Sequence, residues 1–210
     1  MIKIGLCDPN GFTGYFPDDF VARFSEICNE HHAQKRALLF AFLLFNLRDA
    51  SVIRALGDRA YWNSLNEISG NAISVFALHF PDRTEKYPDT ALLSTIEAVL
   101  SKYFETDNDK STPSILFFQI GNNEVLAHYR VKLRSKTVED TYLEMRDVLS
   151  AAADAVSKVI PENWSNSAEV FALAENALRD REVGLYIQRG IGTITSLGKL
   201  LGLILGVWKD

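Results

Sequence analysis

Apolar and polar positions along this chain follow two periods, one of strands and one of helices. Ile2 to Cys7 is a short apolar run stopped by Asp8-Pro9-Asn10-Gly11, a turn sequence. Pro17-Asp18-Asp19 opens a helical pattern with its acidic residues at the positive end, and Phe20, Phe24, Ile27 and Cys28 recur along it. Ala37 to Phe45 (ALLFAFLLF) and Ala72 to Phe80 (AISVFALHF) are apolar runs too short to cross a bilayer as helices. Their composition predicts strands buried on both faces. Between them, Val52, Ile53, Leu56, Ala60, Leu65 and Ile68 predict one helix from about Asp49, ended by Gly70-Asn71.

Beyond a polar loop from Pro81 to Pro88, Asp89 can cap a helix with Leu92, Leu93, Ile96, Val99, Leu100 and Phe104 inward. Thr106 to Thr112 is a solvent loop. Ser114 to Ile120 and Val125 to Leu133, joined by Gly121-Asn122-Asn123, read as a hairpin. Thr137 with Asp140 has capping-box spacing and begins a long helix with Val138, Tyr142, Met145, Leu149, Ala152 and Val156 inward. The order is β-α-β-α-β-α-β-β-α, ending near Ile160. Parallel strands with crossover helices come first and an antiparallel hairpin last, an α/β three-layer sandwich.

That order, together with Thr112-Pro113-Ser114-Ile115-Leu116-Phe117-Phe118 and then Gly121-Asn122-Asn123-Glu124-Val125, resembles the thioredoxin fold over residues 1–160. The resemblance implies a cis bond between Thr112 and Pro113, where a Thr/Val-Pro pair precedes the strand. It also implies a C-x-x-C at the helix start after the second strand, where the dipole would stabilise a thiolate. This chain has Leu47-Arg48-Asp49-Ala50 there, and Ala41 near the place of the family's buried acid. Only Cys7 and Cys28 exist, so dithiol exchange by the family's route is excluded, and a disulfide framework or cysteine zinc site is not expected. The family's substrate loops would become a contact surface carrying Arg48, Asp49, Thr112 and Pro113.

Other chemistry is thinly signalled. His31-His32 are adjacent and cannot share a helix face, so both are expected solvated at a helix end. His79 and His128 sit on strands and could meet only across the sheet. Cys7 at a strand end has no base placed beside it in sequence. No metal ligand set, phosphate loop or cofactor motif emerges, and no catalytic residue is assigned. Net charge −5 with 22 Lys+Arg against 27 Asp+Glu argues against nucleic-acid partners. Two cysteines and the absence of a signal-peptide pattern point to the cytoplasm.

Residues 161–210 read as a C-terminal helical extension. Pro161 to Ser165 is a linker, and Asn166 with Glu169 caps a helix to about Val183, with Phe171, Ala174 and Leu178 on one side. From about Gly190 the sequence GIGTITSLGKLLGLILGVWKD predicts a further helix, with Leu197, Leu201, Ile204 and Trp208 as a stripe and Gly198, Gly202 and Gly206 as a glycine row. Glycine costs ~1 kcal/mol per position in a helix, which close approach of another backbone offsets. Insertion into a bilayer is marginal: the apolar side chains contribute roughly −0.5 kcal/mol each and Lys199 about +3. The sequence therefore predicts a non-catalytic binding module or assembly subunit, associating with itself or a protein partner through this tail. The alternative is a membrane-acting effector whose residues 190–210 lie in a lipid interface. An enzyme using Cys7 or a cross-sheet histidine is a third reading.

Overall fold

The computed structural model describes residues 1–5, 26–34, 36–45, 49–70, 72–79, 113–121, 124–180, 185–186 and 192–193. Its elements in chain order are β1 (Ile2–Gly5), α1 (residues 26–33), β2 (Leu39–Leu44), α2 (Ala50–Gly57), α3 (Arg59–Ser69), β3 (Ile73–His79), β4 (Ser114–Gly121), β5 (Glu124–Lys132), α4 (Val138–Ser157), α5 (Ser167–Asp180), β6 (Leu185–Tyr186) and β7 (Gly192–Thr193). The fold is mixed α/β.

The strands form one sheet in the order β1-β3-β2-β4-β5-β6, with β7 also on β5. β1 and β2 both run parallel to β3. β4 is antiparallel to β2, and β5 to β4. The two apolar runs occupy the middle, as their composition requires: all six β2 residues are buried, and Ile73, Val75, Phe76 and Ala77 of β3 with them. On one face Phe40 stacks on Phe118 at 5.5 Å, and Phe42 on Phe76 at 6.3 Å. The register places Ala41, Phe117 and Tyr129 in one row on the other face. The predicted hairpin is present: Gly121 pairs with Glu124, so residues 122–123 make the connection.

The helix predicted from Asp49 to Ser69 is in fact two. It breaks at Gly57-Asp58, where Asp58 turns extended and its Oδ1 accepts from the Ala60 and Tyr61 amides at 2.8 and 3.1 Å. Asp58 is a ready N-cap, and a capped restart competes with an unbroken helix through glycine. α3 stops at Gly70 as predicted, with φ +51, a backbone region that glycine enters freely.

α4 begins at Thr137, whose Oγ1 accepts from the Asp140 amide at 3.1 Å. It packs against α2, α3 and α5. At the α3–α4 seam Tyr61 and Tyr142 stack at 4.1 Å, and Ser64 and Tyr142 share a 2.8 Å hydroxyl bond. Asn166 caps α5 as its spacing predicts, Oδ1 accepting from the Glu169 amide at 3.3 Å. Val170, Phe171, Ala174 and Leu178 of α5 join the same core as the sheet.

The helix predicted from about Gly190 is corrected at its start. Gly192 and Thr193 are extended and pair with Val125 and Glu124. β-Pairing to an open strand edge satisfies their backbone where an isolated, glycine-rich helix start would not. The predicted helix over 89–104 and the tail beyond Thr193 lie outside the described residues.

Candidate functional site

The C-terminal end of β2 meets the first residue of β4 and the last of β5: Leu44 pairs with Ser114, and Ser114 with Lys132. The first turn of α2 follows β2 after only five residues, Phe45 to Asp49. Asp49 is its half-buried N-cap; the carboxylate does not cap the helix, while the main-chain oxygen accepts from the Ile53 amide at 3.1 Å. Pro113 leads into β4, and its carbonyl accepts from the Leu133 amide at 2.7 Å, tying the hairpin's two ends together. Of the predicted partner-contact residues, Asp49 and Pro113 are thus placed at one end of the sheet. Arg48 and Thr112 lie outside the described residues, and the predicted cis bond lies there with Thr112. So do Cys7 and the tail residues Leu197, Gly198, Leu201, Gly202, Ile204, Gly206 and Trp208.

Sequence reasoning missed two side chains at this end. Arg130 donates from Nε to Ser114 Oγ at 2.8 Å, and Ser114 is fully buried. The signal was present in β5, where His128, Arg130 and Lys132 alternate with Ala127, Tyr129 and Val131. That alternation places a guanidinium beside the strand that carries Pro113. Just beyond, Glu144 accepts from two successive backbone amides, Arg134 at 3.0 and 3.1 Å and Ser135 at 3.0 Å. This fixes the turn from β5 into α4.

The histidines do not form a joint site. His79 pairs with Gly5 at the β1 side, and His128 sits on β5 opposite Phe118. Three strand spacings separate β3 from β5, ~14 Å, so the cross-sheet meeting does not occur. His31 corrects another expectation: it is half-buried, with Nδ1 2.6 Å from Ser74 Oγ, while His32 is exposed. Burial lowers its pKa, with Glu30 raising and Arg36 lowering it further. A Ser–His pair is half of a nucleophilic site, but Ser74 lies buried in β3 with Phe40 directly across the ladder. With that hydroxyl buried in the sheet, the contact ties α1 to β3.

On the opposite face Tyr129 is buried, and its hydroxyl has no hydrogen-bond partner among the described residues. Burial pushes the phenol well above its ordinary pKa; Arg179 opposes this and Glu175 adds to it. Those two α5 residues pair at 2.7 Å, with Glu175 buried. Burial also drives the Cys28 thiol well up, away from the thiolate that exchange chemistry needs. Among the described residues no group of three or more His, Cys, Asp or Glu side chains could hold a metal, and no helix is long and apolar enough to cross a membrane.

Comparison with family models, curated proteins and solved structures returns no match.

Proposed function

We propose that this chain is a redox-inactive, thioredoxin-like binding module that works as a subunit of a protein assembly and associates through its C-terminal tail. The observation that carries the reading is the sheet. Three parallel strands followed by an antiparallel hairpin are what the resemblance calls for, while Leu47-Arg48-Asp49-Ala50 replaces the dithiol at the start of α2. Without a thiolate, that end of the sheet can position and bind but cannot exchange disulfides. Asp49, Arg130 and Lys132, all partly exposed, supply both signs of charge beside Pro113, which suits recognition of a protein surface.

The stripe Leu197, Leu201, Ile204 and Trp208 is the associating element. Burying four such side chains stabilises a contact by roughly 1.5–3 kcal/mol each before ordering costs. Sedimentation of the full chain tests this against Leu201→Glu/Ile204→Glu. The wild type should sediment above single-chain mass and the variant at single-chain mass. A single-chain wild type, or a variant that keeps the wild-type mass, overturns the reading.

A further inference from the structure

The turn between α4 and α5 lies at the hairpin's end of the sheet. α4 starts beside the last residues of β5, where Glu144 accepts from the Arg134 and Ser135 amides. Its 20 residues span ~30 Å, as do the nine of β5. α5 packs alongside α4 and returns: Glu175 and Arg179, near its end, act electrostatically on Tyr129 of β5. The 3-10 turn Pro161–Asn163 between the two helices therefore sits at the end of the sheet marked by Glu124 and Val125.

That end exposes apolar side chains. Ile160 is 56% exposed and Trp164 38%, although Val159 beside them belongs to the core. Trp164 is fixed in place, its Nε1 donating to the Val159 carbonyl at 3.1 Å. Leu126, also exposed, is the third residue of β5. The remaining large apolar side chain exposed among the described residues, Leu173, lies midway along α5. Apolar residues exposed singly are ordinary, whereas several gathered at one end, one of them an anchored tryptophan, suit a contact surface.

We propose that this surface is covered by the chain's own residues 197–208, docked in cis through Leu197, Leu201, Ile204 and Trp208. The proposal rests on the reading that the tail is the associating element: docking holds the stripe back until a partner displaces it. The placement of β7 selects this occupant. Thr193 pairs with Glu124 in an antiparallel ladder, so the chain beyond Thr193 leaves past the first residue of β5. Residues 194–210 thus emerge at the end that exposes Ile160 and Trp164. Their reach suffices: residues 194–208 cover ~22 Å as a helix and up to ~50 Å extended, against a layer spacing of ~10 Å. A stripe tethered this close meets the surface at an effective concentration on the order of millimolar, above that of a second copy in dilute solution.

The test uses full-length protein, diluted until it sediments at single-chain mass, and reads the rate of tryptic cleavage after Lys199. Docking predicts that Ile160→Glu speeds this cleavage several-fold, and that Leu173→Glu, also on the surface but midway along α5, leaves it unchanged. With its tail released, Ile160→Glu should also associate at a lower concentration than wild type. Cleavage unaltered by Ile160→Glu, or accelerated as much by Leu173→Glu, overturns the docking. An Ile160→Glu chain that associates more weakly than wild type overturns it as well, since the surface then receives the stripe of another copy. A wild type that stays at single-chain mass at every concentration, with cleavage accelerated by Ile160→Glu, keeps the docking and loses the proposed function. Unchanged thermal transitions of both variants establish that they are folded.

Discussion

β2 and β5 are strands of one sheet built to opposite rules. β2 has partners on both edges and no polar side chain; its six residues are buried on both faces. β5 has β4 on one edge and, among the described residues, the ladders with β6 and β7 on the other. It carries His128, Tyr129, Arg130 and Lys132 within its last five residues. The contrast is physical. A strand closed on four sides can hold no charge without desolvating it, whereas one near an edge can turn charges toward solvent or toward a neighbour's hydroxyl. Polar side chains among the described strands therefore concentrate in the hairpin, while β2 and the described part of β3 are almost wholly apolar.

The largest expected effect tests the scaffold side. Phe40→Ala removes a ring stacked on Phe118 and should cost about 3–5 kcal/mol in denaturant unfolding. A loss below about 1 kcal/mol would erase the contrast. Ser114→Ala removes the hydroxyl that accepts from Arg130, and should cost about 1 kcal/mol, since a net hydrogen bond contributes about that. Tyr129→Phe should change stability by less than about 1 kcal/mol and in the stabilising direction, because the hydroxyl it deletes is buried without a hydrogen-bond partner among the described residues. A clear destabilisation would reveal that the hydroxyl is engaged.

The smallest effect concerns Ser74, the buried polar exception in the described part of the parallel strands. Burial lowers the folded pKa of its partner His31 below the ordinary 6.5, so the unfolded chain takes up that proton first as pH falls. The contribution of His31 is present above that value and is lost as pH drops through it toward the lowered one. Unfolding titrations should show a shallower acid-side decline for His31→Asn than for wild type. Equal slopes would remove His31 from the account.

Much of this architecture is legible in one dimension because local physics decides it. The apolar runs at 37–45 and 72–80, the Gly/Asn connection of the hairpin, and the Thr137 and Asn166 caps are settled by neighbours within four residues. The break at Asp58 was legible too, since Gly57-Asp58 is a stop followed by a cap, but the continuous apolar spacing from Val52 to Ile68 hid it. His31 with Ser74 and Arg130 with Ser114 were not legible: their partners are 43 and 16 residues away, brought together by sheet register. Strands as short as Leu185–Tyr186 and Gly192–Thr193 have no periodicity to detect; the open edge of β5 determines them.

The placement of β2 also has a consequence for how the chain is made. Its parallel partner β3 is encoded roughly thirty residues later and its antiparallel partner β4 some seventy, Leu44 waiting on Ser114. At a synthesis rate of about 5–20 residues per second, the run Leu39–Leu44 leaves the ribosome about 4–14 s before β4 has been translated. For that interval the most apolar segment of the described chain has at least one free edge, and both until β3 is made, and is a substrate for holdase chaperones or for aggregation. Slowed translation across residues 80–113 should therefore lower soluble yield without changing the stability of the protein that does fold.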